Sequence, residues 1–349
     1  MRALKSLSSR RAPAALLVIV LALLASACAQ DAPQDVFKPA GPNAEKADDL
    51  WNIVFPVAAA IFFIVEGLLV FAVIRFRHRP GREAKQFHGN TRLEVVLTAV
   101  PALILAGVAV PTVGTIFDLA EEPPGAMSVK VVARQFWWEY TYEDLGITTA
   151  NELRIPTNTP VRIKLEGGIT DQVDGSAEVI HSFWVPRLAG TQDVVPGRTN
   201  LITLEADRPG TYFGQCKEFC GLGHAYMRIR VIAESQADFD EWAAGLADEP
   251  TESTATGAQL FQEGAENITQ PCSTCHSVEA TSPQPSTGPN LEGFPSRETF
   301  AGAFLENNDE NLREWLEDPA AAKEGAKMPD VGLTQDQIEE LITYLRSLE

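Results

Sequence analysis

A chain of 349 residues is about two to three times the usual domain size, which excludes a single small domain. Apolar residues make up 45% and charged residues 21%, with 23 Pro and 25 Gly, a composition that excludes wholesale disorder and a collagen-like fibre. The formal charge of −19, from 28 basic and 47 acidic side chains, sets the chain against nucleic acid as a partner, because a polyanion repels it.

Residues 1–27 read as a secretory signal. Arg2, Lys5, Arg10 and Arg11 make the start basic, and Ala12 to Ala27 is an almost unbroken apolar run ending in small side chains. The stretch Ala25-Ser26-Ala27-Cys28 fits two kinds of processing, a lipoprotein box that leaves Cys28 lipidated and an ordinary Ala-x-Ala cleavage. Residues 28–50 then form an exported N-terminal segment. Residues 51–117 predict a hairpin of two transmembrane helices, with apolar spans at about 52–74 and 93–113, each long enough to cross roughly 30 Å of hydrocarbon. In the connecting loop Arg75, Arg77, Arg79, Arg82, Lys85 and Arg92 outweigh the single acid Glu83, which places that loop in the cytoplasm and both mature ends outside. His78 and His88 lie in this solvated loop with no Cys or Met near them, and no site is assigned to them. Glu66 lies deep in the first span and needs a polar partner, which a larger membrane subunit can supply. Glu94 opens the second span, where a proton path and simple contact with headgroup water are both open readings.

From Ser128 to about Glu234 the apolar residues alternate, as in Val129 and Val131, in Val161, Ile163 and Leu165, and in Met227, Ile229 and Val231. That period marks strands with one buried face. Gly167-Gly168, Pro196-Gly197 and Pro209-Gly210 punctuate the runs, so residues 125–234 predict an antiparallel sandwich or barrel. Within it, Cys216-Lys217-Glu218-Phe219-Cys220-Gly221-Leu222-Gly223-His224-Ala225-Tyr226-Met227 gathers two thiols, an imidazole and a thioether, with His181 as the distant partner. Thiolate, thioether and imidazole favour copper over hard cations such as Mg²⁺ and Ca²⁺. A Cys216–Cys220 disulfide is compatible with an oxidising exterior, and Cys₂His₂ zinc would use the same residues while leaving Met227 without a role. A blue-copper site takes one Cys. Two bridging thiolates with one His apiece suit a copper pair instead, with Met227 completing one ion and the Glu218 backbone carbonyl the other.

These motifs carry a resemblance. The run His181-Ser182-Phe183-Trp184-Val185-Pro186, the Cys-x-Glu-x-Cys-Gly-x-x-His-x-x-Met loop and the aromatic stretch Gln135-Phe136-Trp137-Trp138-Glu139-Tyr140, all behind a two-helix hairpin, make Trp51 to Glu234 similar to subunit II of haem–copper cytochrome c oxidases. The resemblance implies an all-β cupredoxin-like sandwich and a binuclear CuA centre held by His181, Cys216, Glu218 through its carbonyl, Cys220, His224 and Met227. It also implies that the Glu218 side chain helps bind Mg²⁺ at the junction with subunit I, and that Glu94 marks the mouth of a proton channel into subunit I. One residue departs from the family pattern. Many relatives carry Trp where Phe136 stands, at the surface position that receives electrons from soluble cytochrome c, so input through that position is in question here.

Residues 235–255 predict a linker: a short helical pattern (Phe239, Trp242, Leu246) followed by the polar tether Asp248-Glu249-Pro250-Thr251-Glu252-Ser253-Thr254. Residues 256–349 form a third domain. Its Cys272-Ser273-Thr274-Cys275-His276 run is the pattern in which two thioethers fix a haem and the adjacent His ligates iron, with a redox dithiol or a disulfide as the weaker reading. Met328 is the one remaining soft or imidazole donor in this domain, and Pro329 keeps its backbone extended. Thr334 to Gln337 opens a helix whose Ile338, Leu341, Ile342 and Leu345 share a stripe. Leu312, Trp315 and Leu316 mark another helix that stops before Pro319. Gly288-Pro289-Asn290-Leu291 resembles the loop of class I cytochromes c that packs against the His ligand, which implies an all-α cytochrome c domain with covalently bound haem c. From Thr251 onward 18 acidic residues stand against 5 basic ones, so most of the negative charge sits in this domain.

The expected architecture is therefore multidomain: a two-helix transmembrane hairpin, an all-β sandwich and an all-α cytochrome c domain. The expected function is an electron-input subunit of a caa-type cytochrome c oxidase. Electrons pass from an external donor (a soluble or membrane cytochrome, or a cytochrome bc complex) to the haem, to copper and on to subunit I, with subunit III and membrane lipid as further partners. The tether holds the haem domain at about millimolar effective concentration near its acceptor. Oxygen is reduced on subunit I, not on this chain. The expected location is the bacterial inner membrane, with both redox domains on the periplasmic or extracellular side. Other readings are a CuA-bearing subunit of a nitric oxide reductase and a membrane-anchored copper carrier. Glu94 and the fused haem motif favour the oxidase over the first, and the haem motif disfavours the second.

Overall fold

The computed structural model describes residues 19–20, 32–78, 80–81, 88–167, 179–247, 256–268, 270–281 and 287–348. The signal segment apart from Ile19 and Val20, Cys28, the loop cations Arg79, Arg82 and Lys85, and the polar tether at 248–255 lie outside the described residues.

Helices α1 (Pro42–Phe76) and α2 (Thr91–Ala120) contain the expected spans and extend past them, with mean hydropathy of 2.8 and 2.3 over their most apolar windows. Phe63, Val73 and Leu103 point outward, as a lipid-facing surface requires. Interior prolines (Pro56 in α1, Pro101 and Pro111 in α2) each remove one backbone bond without ending the helix. Asn90 caps α2 by accepting from the Leu93 amide at 3.3 Å. The start of α1 lies well before residue 52 because Pro42 suits a first helical turn and because that turn is packed against the next domain. Asn43 Nδ2 donates to the Thr203 carbonyl at 2.8 Å, and backbone bonds join Ala40 to Arg187 (2.7 Å) and to Asp207 (2.9 Å). The exported segment is thus partly bound to the sandwich rather than a free arm.

Ten strands form that sandwich: β1 (Met127–Arg134), β2 (Trp137–Tyr142), β3 (Ile147–Ala150), β4 (Glu152–Pro156), β5 (Val161–Gly167), β6 (His181–Trp184), β7 (Thr191–Val194), β8 (Thr199–Leu204), β9 (Gly210–Cys216) and β10 (Arg228–Glu234). They pair as two five-stranded sheets, β3-β2-β1-β5-β8 and β4-β10-β9-β6-β7. The expectation of a wholly antiparallel sandwich needs correction, since β1 pairs with β5 and β10 with β4 in parallel. The chain changes sheet between β3 and β4 and again between β4 and β5, and such a crossover can lay a strand beside an earlier one in the same direction. Inward residues of both sheets, among them Val131, Trp138, Tyr140, Leu153, Ile163 and Phe183, make one core.

Helix α3 (Gln236–Ala247) joins that core through Phe239 and Leu246, with Trp242 against Tyr142 at 5.4 Å between ring centroids. The first half of the expected 235–255 linker is therefore part of the sandwich domain. The C-terminal domain packs α4 (Thr256–Glu263), α5 (Asp309–Glu317), α6 (Pro319–Ala322) and α7 (Gln335–Leu345) around Leu260, Phe261, Leu312, Leu316, Ile338 and Leu341. The capping box at α7 is complete, with Gln337 N to Thr334 Oγ1 at 3.3 Å and Thr334 N to Gln337 Oε1 at 2.9 Å. One feature departs from all-α: a two-residue ladder of β11 (Thr299–Phe300) and β12 (Leu305–Glu306), closed by Ala301, Gly302 and Ala303, all at positive φ.

Candidate metal centre and haem cleft

Three strands of one sheet bring the sulfur and imidazole donors together. His181 begins β6, Cys216 ends the neighbouring β9, and Met227 precedes β10, which pairs with β9. The loop between β9 and β10 carries Glu218, Cys220 and His224 back to the same point. Cys216 Sγ lies 3.8 Å from His181 Nδ1, 3.9 Å from Cys220 Sγ and 3.3 Å from the Glu218 carbonyl oxygen. Cys220 Sγ lies 3.7 Å from His224 Nδ1. His181, Cys216, Cys220 and Met227 are buried, whereas His224 is half-buried beneath Phe219. Both cysteines are free thiols here.

The electrostatics of the pair bear on what it can hold. The hydrogen bond from Cys220, with His181 assisting, holds the Cys216 thiol down at about 4, against the opposing effect of burial. The same bond, with burial, pushes the Cys220 thiol far up. One thiolate forms readily, and the second forms only when a cation takes the place of the shared proton. Two buried thiols with an imidazole apiece, a buried thioether and a carbonyl oxygen within 3.3 Å fit soft cations at this point.

The haem-motif residues surround a cavity of about 380 Å³, of which Cys272, Cys275, His276 and Met328 are all part. Backbone bonds from Cys275 and His276 to the Cys272 carbonyl (3.0 and 2.9 Å) fold the motif into a single turn, so both thiols and the imidazole face one space. His276 Nδ1 donates to the Pro289 carbonyl at 2.8 Å. A carbonyl can only accept, so the proton sits on Nδ1 and Nε2 keeps a lone pair for a metal. Burial pushes the His276 pKa down, which keeps the ring neutral. The ring also needs Gly288, since a Cβ there would stand 2.6 Å from His276 Cε1. An apolar cavity holding two thiols, an oriented imidazole and a thioether fits a covalently attached haem.

Beside it, Glu292 is buried, and its Oε2 has no hydrogen-bond partner among the described residues. Burial pushes its carboxyl up to about 7, opposed by Arg297 and reinforced by Glu279. A folded-state pKa above the unfolded value means that the native state binds the extra proton between about pH 4 and 7. Stability therefore falls as pH rises through that window. Replacing Glu292 with Gln is expected to leave stability at pH 5 nearly unchanged and to raise it at pH 8 by about 1–2 kcal/mol. Denaturant melts of the two proteins at both pH values check this, and an identical pH 5 to 8 difference in both would count against it.

The copper-type cluster and the cavity meet across a domain boundary. Glu152, only 3% exposed at the start of β4, accepts from Thr299 N (2.7 Å), Thr299 Oγ1 (2.6 Å) and Glu298 N (3.1 Å) of the C-terminal domain. Arg297 donates to the carbonyls of Asn290 (2.8 Å) and Glu292 (2.9 Å), and across the boundary to Thr149 Oγ1 at 3.4 Å. Arg230 pairs with Glu298, and Tyr226 packs on Phe304 with centroids 4.7 Å apart. Backbone bonds cross as well, from Arg228 N to Gly302 O (2.9 Å) and from Thr148 N to Ala280 O (2.7 Å). One wall of the cavity is consequently Gln135, Phe136 and Trp137 of the sandwich. The same turn touches the sulfur loop: Gln135 Nε2 donates to the Cys220 carbonyl at 2.5 Å, and the Phe136 ring lies against Gly221 and Gly223.

The remaining predicted positions fall elsewhere. Glu94 sits in the first turn of α2, and Glu66 is exposed on α1 with no hydrogen-bond or ion-pair partner among the described residues. Sequence reading passes over Glu152, Arg297 and Lys323, because each bonds a residue 147, 148 or 187 positions away and none belongs to a motif.

Three family models match the chain: cytochrome c oxidase subunit II, transmembrane domain, over residues 30–114; cytochrome c oxidase subunit II, periplasmic domain, over 147–234; and cytochrome c over 254–349. A cytochrome c oxidase subunit 2 of Alkalihalophilus pseudofirmus is 36% identical over 342 residues, covering 94% of this chain and 95% of the relative. The proteins of the same name from Bacillus sp. (strain PS3) and Bacillus subtilis are 35% and 32% identical, covering 78% and 96% of this chain and 80% and 97% of the relatives. The match to the periplasmic domain implies CuA copper, and the match to cytochrome c implies haem. The chain belongs to the cytochrome c oxidase subunit II family, as a membrane-anchored subunit of a haem–copper oxidase with a cytochrome c domain fused at its C-terminal end.

Proposed function

We propose that this chain is the electron-input subunit of its oxidase, taking electrons from an external donor at the C-terminal domain and passing them through the copper domain to subunit I, where oxygen is reduced to water with proton pumping. The observation that carries this reading is the shared wall, since the Gln135–Trp137 turn both lines the C-terminal cavity and bonds the sulfur-bearing loop. In this reading His181, Cys216, Cys220, His224 and Met227, with the Glu218 carbonyl, hold a binuclear CuA. Cys272 and Cys275 would hold haem c through thioethers, and His276 and Met328 would supply the donors to its iron. When bound, both groups take up and release single electrons. The chain's own contribution is positional. Cys216 and Cys220 keep their sulfurs within reach of both imidazoles, Pro289 fixes the His276 tautomer, and the apolar cavity keeps water from the haem site, a condition that raises potential.

Glu218 is exposed beside Phe219 and Leu222, which are 73% and 72% exposed. An exposed acidic residue in the same loop as two outward apolar ones supports contact with subunit I, where the Glu218 carboxylate helps hold Mg²⁺. Glu94, at the loop end of α2, marks the mouth of a proton channel into subunit I. Subunit III and a soluble cytochrome, membrane cytochrome or cytochrome bc complex as donor complete the assembly. Its place is the bacterial inner membrane, with both redox domains on the periplasmic or extracellular side. Metal analysis of the purified complex tests the cofactor set. Two coppers and one covalently bound haem per chain, with the paramagnetic resonance of a valence-shared copper pair, are expected, and one copper per chain would overturn the binuclear assignment.

A further inference from the structure

We propose that Lys323 is a positioning residue that holds the haem cleft of the C-terminal domain closed on the copper domain. The proposal rests on the functional reading above for its purpose, but its geometry stands apart from it. Lys323 follows the short helix α6 and is only 4% exposed. Its Nζ donates to the Ala301 carbonyl of its own domain at 2.7 Å and to the Phe136 carbonyl of the sandwich at 2.9 Å. Both acceptors and Lys323 itself line the cavity.

A buried ammonium is costly, and a hydrophobic residue would fill the same volume without that cost. Within the C-terminal domain alone the ammonium has one carbonyl to bond, so its second partner is available only when the domains are docked. That second partner belongs to the turn that also touches the sulfur loop, through Gln135 to the Cys220 carbonyl and through the Phe136 ring to Gly221 and Gly223. The backbone makes room for the joint at Gly302, which has φ +80°. A Cβ there would stand 2.6 Å from the Phe136 carbonyl oxygen and 2.7 Å from Lys323 Nζ, so any larger residue wedges the boundary open at this point. Glu152 and Arg297 anchor the boundary further from Phe136, whereas Lys323 bonds the Phe136 carbonyl itself.

Hydrogen–deuterium exchange on the assembled oxidase carrying Lys323→Met tests this. The Arg228 amide, bonded to the Gly302 carbonyl across the boundary, is expected to exchange about tenfold faster, which corresponds to the loss of one buried hydrogen bond. Amides inside each domain, such as Val131 and Leu341, are expected to keep their protection. Gly302→Ala, which disturbs the same joint from the other side, is expected to speed the same amide. Unchanged Arg228 exchange in both variants overturns the proposal. So does a parallel loss of protection within the C-terminal domain, which would make Lys323 a residue of that domain's own stability. Copper and haem contents measured on the same samples report on the functional reading independently, because the exchange result does not depend on them.

Discussion

Replacing Cys216 with Ser is expected to abolish the copper centre and to lower oxygen consumption by more than about a hundredfold, while the covalent haem remains. Cys216 sits at the middle of the cluster, within 3.3 to 3.9 Å of the Glu218 carbonyl, His181 and Cys220. Serine keeps the shape but presents a hard oxygen that stays protonated, so it cannot take the place of a soft bridging thiolate. Outer partners of a metal site are already worth about 10–100-fold, and a residue that would itself hold the metal is worth more. Cys216 is part of the sandwich core, and serine, close to cysteine in size and shape, keeps that packing, so the loss would not come from unfolding of the sandwich. Copper content and oxygen uptake of the purified complex check the result. Two retained coppers with full turnover would remove Cys216 from the ligand set.

Replacing Met328 with Ala is expected to leave the haem attached through Cys272 and Cys275 yet lower its reduction potential by at least about a tenth of a volt, within the roughly 0.8 V that axial ligands span. Met328 lines the same cavity as His276 and packs against the core of its domain. A thioether donor favours the reduced iron, so its removal leaves water or nothing in its place and stabilises the oxidised form. A redox titration followed at the haem band measures the shift. An unchanged midpoint would reject Met328 as the ligand. A lower haem potential makes the reduced haem the stronger reductant, so the driving force from haem to copper rises in the variant while reduction of the haem itself becomes harder.

The docking of the C-terminal domain on the sandwich alters the picture of a haem domain searching on a tether. Glu152, Arg297 and Lys323 are buried polar anchors, and unpaired they would each carry a desolvation penalty. The partners of Glu152, and the acceptors that Arg297 and Lys323 find at Thr149 and Phe136, exist only in the docked form, so the boundary is specific in orientation as well as close. Phe136 is consequently 5% exposed, covered by the C-terminal domain.

Much of this was legible in the amino-acid order because the features are local or carry their own chemistry. Two apolar runs of membrane length, period-two alternation, the Cys216–Met227 loop and the Cys272–His276 run each state a requirement within a short window, as does the Thr334–Gln337 capping box. His181 was reachable because soft donors are scarce in this chain, and Met328 for the same reason. Other features depended on how separate stretches meet. The parallel pairs β1–β5 and β4–β10 follow from the path between sheets, which alternation does not encode. The early start of α1 follows from bonds to Arg187, Thr203 and Asp207. The packing of α3 on the sandwich, and above all the interdomain anchors, join residues more than a hundred positions apart. A lone Glu, Arg or Lys reads as a solvated charge in its own stretch. Only the tertiary structure decides that it is buried, and burial is what converts an ordinary surface charge into a bond that orients one redox domain on another.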